Sequence, residues 1–369
     1  MAPGSGSAMP IFKLMSASKI NWPACAETLA QALPRERLHP AVLAWAERRT
    51  NGRKPWAVAF SGGADSLLLL LLLWAHWPGR RGRLVALHFN HALRGRFSDR
   101  DETFCRQVCR RLRVRYWSAR WRAGKNGASE AEARTARFGF FERKLRVIGS
   151  RALFLGHQQD DIAETMLMRI ARGSGTAGLA APRPVHVMPA GRVHLRPLLT
   201  LKKEDVGAAL RSARAVWRED STNGSDDFFR NRIRRSVLPA WRRAADRDAL
   251  AGCAVTRELL EEDAVALDAW LDELRVGERS GAIELARLAG KPRAIVRRAL
   301  HRWLLARPGA DGLSRQGFAS LLAAVEDGQS TRRSLGHEGF AVIRRGWLRF
   351  ERRRPGAASG RKRLNSKAV

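Results

Sequence analysis

Between residues 56 and 195 the chain alternates short apolar runs with longer stretches whose apolar positions recur at helical spacing. Trp56-Ala57-Val58-Ala59-Phe60 contains no turn former and predicts a short buried strand. Gly62 and Gly63 break it, and the unbroken leucines from Leu67 to Leu73 then predict a helix buried in the core. Further strands are predicted over residues 84–89, 114–117 and 152–155. Helices are predicted over about 98–112, from the Ser129-x-x-Glu132 capping box onward, and from near Asp160. Upstream, a helix over 24–49 is expected to break near Pro34 and Pro40. Alternation at this pace predicts an α/β fold, a doubly wound parallel sheet with helices on both faces. Such sheets bind ligands beyond the carboxyl ends of their strands. The segments after the first, second and fourth strands are therefore expected to meet in one crevice.

Past residue 171 the pattern loosens. Residues 172–178 read as a flexible glycine-rich loop with one cation, Arg172, and Pro182, Pro184 and Pro189 continue it to a short strand near Leu195. Helices are expected over about 200–214 and, strongly basic, over 227–243. Beyond Leu250 the pattern is mainly helical (256–274, 293–306, 314–326) and ends in a hairpin of 341–344 with 347–350 through Arg345-Gly346. These changes divide the chain into a lead-in segment (1–50), an α/β domain (51–247), a smaller, mainly helical domain (248–352) and a basic tail (353–369). Composition predicts disorder for residues 1–18 and for the tail.

Charge changes the picture most. Against 35 Asp+Glu stand 68 Lys+Arg, a net +33, spread through helices as well as tails. A solvated surface accounts for part of this; a polyanionic partner, nucleic acid first, accounts for more. The leucine run ends at Pro78-Gly79, far short of the ~20 residues that span a bilayer. No basic segment followed by an apolar core opens the chain, so no signal peptide is expected. Cys25, Cys105, Cys109 and Cys253 give no disulfide framework. Cys105 and Cys109, one helical turn apart, read as buried thiols in a reducing, cytoplasmic protein.

Strand, glycine turn and helix N-terminus together make an anion site at Ser61-Gly62-Gly63-Ala64-Asp65-Ser66. No Gly-Lys-Ser/Thr follows, so this is not a Walker loop. Its distinctive member is Asp65: a carboxylate beside phosphates calls for a bridging cation, which implies Mg²⁺. A capped strand-to-helix turn is the plainer alternative. The second centre is Gly156-His157-Gln158-Gln159-Asp160-Asp161 with Glu164. Asp161 and Glu164 are one helical turn apart and share a face. Capping explains acids at a helix N-terminus, but not why they gather at the ligand edge of so basic a chain. The pair suits a metal ion or an ammonium group alike. His157 orients a phosphate, acts as a base, or holds the turn. Arg230, Asn231, Arg232, Arg234 and Arg235 cluster on one helix with no interspersed acids, and RNA-backbone contact is the better reading of that face.

Ser-Gly-Gly-x-Asp-Ser after a strand resembles the PP-loop of ATP pyrophosphatases. With it stand Asn90-His91-Ala92-Leu93-Arg94, the Gly156 block with Glu164-Thr165, Arg172-Gly173-Ser174-Gly175, Asp220-Ser221-Thr222-Asn223 and Arg230-Asn231-Arg232-Ile233-Arg234. Together, and with Glu130, Arg134 and Arg137, they resemble the tRNA(Ile)-lysidine synthetase family over residues 56–241. The resemblance implies a Rossmann-like PP-loop fold, ATP and Mg²⁺, free L-lysine and tRNA(Ile) with a CAU anticodon as partners; a homodimer stays open. It implies adenylation of the wobble cytidine, then displacement of AMP by lysine. Ser61 to Ser66 would bind ATP, Asp65 the metal, and Asp161 and Glu164 the lysine. Arg94 and Arg172 would meet the charge developing on the transferring phosphoryl group. Gln158 stands where the family has a second His, and Phe138 where it tends to have Tyr. The helical domain resembles the family's first tRNA-binding domain, and the larger C-terminal extension of some members is expected to be missing. The rival enzyme reading is a tRNA thiolase, which would want a cysteine in the crevice motifs. A rival from another class is a basic RNA-binding protein with an inactive nucleotide site.

Overall fold

The computed structural model describes residues 19–49, 52–92, 95–121, 129–219, 228–276, 281–308 and 313–353. It falls into two compact units, 1–261 and 262–369. In the first, α1 (Trp22–Ala32) and α2 (Pro40–Glu47) are separated by a 3₁₀ turn at Arg35–Arg37, as Pro34 and Pro40 require. Then follow β1 (Trp56–Ala59), α3 (Ala64–His76), β2 (Leu84–Asn90), α4 (Arg96–Arg111), β3 (Arg115–Arg120), α5 (Glu130–Val147), β4 (Ala152–Phe154), α6 (Gln159–Ala171) and the short α7 (Thr176–Leu179). β5 (Val185–Met188), β6 (Arg192–Leu195), α8 (Lys203–Ser212), α9 (Phe229–Arg232), a π turn at Ile233–Val237, α10 (Leu238–Ala244) and α11 (Ala249–Glu273) complete the order.

The sheet order is β3-β2-β1-β4-β6-β5. Five strands are parallel and only β5, on the edge, runs antiparallel to its neighbour. The chain winds outward from β1 through β2 to β3, then returns to lay β4 on the other side of β1. Trp56 is therefore in register with both Leu84 and Ala152. That reversal makes the crevice between the carboxyl ends of β1 and β4 the ligand position of such a sheet.

The two faces follow the period of a strand. Trp56, Val58, Leu84, Ala86 and Phe154 join a core with α1, α2, α3, α4 and α8, while Ala57, Val85, Leu87 and Leu153 face Phe140, Phe141 and Leu145 of α5. Leu67 to Leu73 are each at most 1% exposed, because α3 has neighbours all round. Each such leucine contributes about 1.5–3 kcal/mol of burial. Among the described residues no helix is long and apolar enough to cross a membrane.

The second unit continues from α11. β7 (Ile283–Glu284), α12 (Arg293–Leu305), α13 (Arg315–Glu326), β8 (Thr331–Ser334), β9 (Gly339–Arg344) and β10 (Trp347–Arg352) follow. A four-stranded sheet, β7-β10-β9-β8, shares one core with the helices through Ile295, Leu300, Trp303, Leu321, Ile343 and Leu348. The predicted hairpin is β9–β10: Arg345 and Gly346 both have positive φ (51° and 75°), as a two-residue turn of this kind needs.

One glycine sets the distance between the two loops of the crevice. A Cβ on Gly156, just past β4, would lie 2.9 Å from the carbonyl carbon and oxygen of Asp65 and 3.0 Å from the amide nitrogen of Ser66. These are backbone atoms of the first turn of α3, so they cannot give way. Gly156→Ala is expected to lower thermal stability by about 1–3 kcal/mol. Gly252→Ala, at an exposed helical site with nothing within 4 Å of the added Cβ, is expected to gain about 0.5–1 kcal/mol. Thermal melts of the two variants check the opposite signs.

Candidate active site

The loop after β1 is braced by its own serines. Ser66 Oγ donates to the Gly63 carbonyl (3.0 Å) and accepts from the Ser61 amide (3.2 Å), and the Ser61 and Ser66 hydroxyls pair at 3.0 Å. The Gly63 amide donates to Ser61 Oγ at 3.3 Å. Gly62 has φ +91°, and a Cβ there would press on Cys105 Sγ at 3.0 Å, so glycine is required twice over. The buried Cys105 thus serves as packing beneath the loop, as its helical spacing suggests. No side chain caps α3, so the first amides of the helix, at Ala64, Asp65 and Ser66, face the crevice as an anion site. Arg218, outside every sequence motif, clamps the loop: its amide donates to the Gly62 carbonyl (2.9 Å) and its Nε to Asp101 Oδ1 (2.7 Å).

Asp65 Oδ1 is buried and has no hydrogen-bond partner among the described residues. Burial, and then the neighbouring Asp161 carboxylate, push the Asp65 pKa up to about 7, against the opposing pull of Lys203 and Arg234. An orphaned carboxylate oxygen beside a phosphate cradle fits a hard cation.

The second loop explains its departure from the family pattern. Gln158 Oε1 accepts the Asp160 amide (2.6 Å) while the Gln158 amide donates to Asp161 Oδ2 (2.9 Å), a reciprocal cap at the start of α6. Gln158 is therefore an N-cap acceptor. A histidine ring nitrogen can do the same, as His39 does for the Ala41 amide at the start of α2.

The acidic pair is where Arg230 and Arg234 are found. Glu164 is 1% exposed; its Oε2 accepts from Arg230 Nε (2.8 Å) and Arg234 Nη2 (2.9 Å), and its Oε1 from Arg234 Nε (2.6 Å). Asp161 Oδ1 accepts from Arg230 Nη2 at 2.6 Å. Arg230 and Arg234, one turn apart, present both guanidiniums to carboxylates that are one turn apart on α6, and the π turn carries that face through Arg234. Burial alone would lower the Arg234 pKa; the Glu164 hydrogen bonds and the charge of Glu164 and Asp161 raise it instead. The sequence reading put these two arginines on an RNA-facing surface; here their guanidiniums hold carboxylates. Asn231, between them, is 9% exposed. Arg232 and Arg235 are exposed.

Other predicted residues are distributed unevenly. His157 sits beside the acidic helix, and Arg196 Nε donates to its Nδ1 at 2.9 Å. Arg172 caps the carboxyl end of α6, about 17 Å along the axis from Asp161 at 1.5 Å per residue, so α6 does not bring it to the crevice. Arg94 and Asp220 to Asn223 lie outside the described residues. Beside Glu164 opens a cavity of about 490 Å³, lined by Asp160, Lys203, Arg234, Leu238, Arg242 and Arg243 among others. Sequence reasoning missed Lys203, Arg196 and Arg218, which belong to no short motif. Among the described residues no cluster of His, Cys, Asp and Glu forms a metal site.

A phosphate cradle at a switch point, a buried acid within it and a Gly-His acidic helix opposite describe a nucleotide-using α/β protein. The PP-loop domain family matches residues 36–241, and the chain belongs to it. Curated relatives are tRNA(Ile)-lysidine synthases. That of Geobacter sulfurreducens is 36% identical over 275 residues, 71% of this chain and 56% of the relative. That of Solibacter usitatus is 40% identical over 183 residues, 50% of this chain and 40% of the relative. The chain spans about half the length of the relatives it matches. Among solved structures, a U34-tRNA thiolase of Methanococcus maripaludis aligns with TM-score 0.48 at 16% identity, covering 66% of this chain and 80% of that one.

The raised pKa of Asp65 makes a stability prediction. The folded state holds this proton up to about pH 7, whereas the unfolded chain releases it near 3.8. Stability contributed by the neutral acid is therefore complete below the unfolded value and is lost as pH rises through the window from about 4 to about 7. Without ligands, Asp65→Asn is expected to stabilise the protein at pH 8, by about 1–3 kcal/mol, and to leave it unchanged near pH 4. Denaturant titrations at the two pH values check this.

Proposed function

We propose that the protein joins L-lysine to C2 of the wobble cytidine of tRNA(Ile) with a CAU anticodon, consuming ATP and releasing AMP and diphosphate. The observation that carries the reading is the buried Asp161–Glu164 pair at the mouth of a PP-loop, in a chain whose relatives are named tRNA(Ile)-lysidine synthases. Residues 61–66 and the α3 amides would cradle the triphosphate. Asp65 would hold Mg²⁺, which supplies neutralisation of phosphate charge when bound. In the first step the cytidine O2 attacks the α-phosphorus and the bond to the β-phosphate oxygen breaks, with diphosphate taking the electron pair. In the second, the lysine ε-ammonium gives a proton to Asp161 or Glu164, the amine attacks C2, and the C2–O bond breaks as AMP leaves with that oxygen. Arg94 keeps its proposed place at the transferring phosphoryl group.

The lysine ammonium and the two guanidiniums compete for the same carboxylates. Lysine capture therefore requires Arg230, Arg234 or both to let go. A released guanidinium is matched to phosphate, of ATP or of RNA, so the lysine-binding and RNA-binding readings of these residues describe two states of one contact. The adjoining cavity suits a free amino acid: its lining brings together the carboxylates of Asp160 and Glu164 and the cations of Lys203, Arg242 and Arg243, a match for an ammonium and an α-carboxylate. The 262–353 unit and the exposed Arg232 and Arg235 would hold the tRNA. A tRNA thiolase needs a reactive sulfur, whereas all four cysteines are buried, and burial raises the thiol pKa of each.

Mass analysis of nucleosides from tRNA incubated with ATP and lysine tests the reading. A lysine-sized gain on cytidine is expected; a sulfur-sized gain or none contradicts it. Glu164→Gln is expected to weaken lysine binding roughly ten- to a hundred-fold, since one charge-assisted bond is worth about 1.5–3 kcal/mol. Arg230→Ala is expected to do the opposite in the protein free of ATP and RNA, strengthening lysine binding by removing a competitor. Calorimetric titration with lysine checks the opposed signs.

A further inference from the structure

We infer that Arg196 is a positioning residue that fixes His157 as the neutral Nε2–H tautomer, so that this imidazole serves the reaction as a hydrogen-bond donor to negative charge and not as a base. The inference deepens the proposed adenylyl transfer and rests on it for the identity of the anion, a phosphate oxygen. Arg196 follows the last residue of β6, one strand over from β4, and is 6% exposed. Its amide donates to the Pro184 carbonyl (2.9 Å) and its Nη1 to the Arg183 carbonyl (2.7 Å), which aim Nε at His157 Nδ1 across 2.9 Å. A guanidinium has donors only, so the direction of this bond is forced by chemistry. Nδ1 must offer its lone pair, and the single proton of the neutral ring is then on Nε2.

The surroundings oppose a second proton. Burial, and then the charges of Arg196, Arg230, Arg134 and Arg137, hold the His157 pKa well below its ordinary value. A carboxylate behind a histidine raises its basicity and makes a base of the far nitrogen. A guanidinium in that position does the reverse: it withdraws electron density through the ring and sharpens Nε2–H as a donor. His157 stands half-buried at the carboxyl end of β4, in the crevice shared with the PP-loop. A fixed neutral donor there meets the charge that develops on a transferring phosphoryl group without any reorganisation.

The test is ¹⁵N NMR of the full chain labelled at histidine, with the His157 signals assigned by their loss in His157→Gln. The expected wild-type spectrum shows His157 with Nε2 protonated and Nδ1 bare across about pH 5–9, with no titration. Arg196→Met should release the ring to titrate or to exchange tautomers. In diphosphate release with ATP and tRNA, His157→Gln, whose amide N–H replaces Nε2–H, should retain activity within about tenfold, while His157→Leu loses about 10²–10³-fold. An Nδ1–H ring, an imidazolium forming near neutral pH in the wild type, or equal loss in His157→Gln and His157→Leu would overturn the inference. The wild-type spectrum needs no variant to fold and no substrate. A protein that makes no lysidine yet shows the locked tautomer would sink the proposed function and leave the Arg196–His157 pair standing.

Discussion

Like charges held together at the switch point of the sheet govern the rest of this structure. Gly156 has no side chain, so the end of β4 closes on the backbone of Asp65 and Ser66, and that approach puts Asp65 within electrostatic reach of Asp160 and Asp161. Asp65, so close to those carboxylates and so dry, is repelled by their charge and resists ionisation. Cations from distant segments offset the repulsion: Lys203 from α8, and Arg230 and Arg234 from the helix after residue 228. The site therefore binds together the α/β sheet and the segments that follow it. It is also left with a buried acid that has an unpartnered oxygen among the described residues and with two guanidiniums held by carboxylates.

Much of this was legible because local rules and the global fold agree. The apolar run at β1, the glycine pair and the leucine helix announce strand, turn and helix in order, and β1, β2 and β4 appear where period-2 burial on both faces demands them. The crevice followed from topology alone: motifs far apart in sequence meet because they follow neighbouring parallel strands. Asp65, Asp161, Glu164 and His157 were recognisable through chemistry at that edge.

What the sequence concealed has physical causes. β5 lies between Pro184 and Pro189 and reads as loop, but it is an edge strand whose partner β6 supplies the order and whose flanking prolines are tolerated at strand ends. β8, Thr331–Ser334, is polar throughout and becomes a strand only by pairing with β9. Arg230 and Arg234 look like a solvent-facing basic stripe, since nothing local reveals that carboxylates on α6 lie opposite. Arg196 carries no motif signal; its meaning comes from a histidine 39 residues away in sequence. Arg172 follows α6 directly as its C-cap, a place its loop composition did not reveal.

The central claim is that lysine binds by displacing arginine from Asp161 and Glu164. Its most direct test is ¹H–¹⁵N NMR of the Arg230 and Arg234 Nε–H groups, assigned by single substitutions, during titration with L-lysine in the presence of a non-hydrolysable ATP analogue. The account predicts that at least one of these signals loses its carboxylate-bonded, exchange-protected character in step with lysine binding, and that Glu164→Gln abolishes the response. Lysine that binds tightly while both signals stay unchanged would place the amino-acid pocket elsewhere and make the arginine–carboxylate contact a fixed strut of the fold.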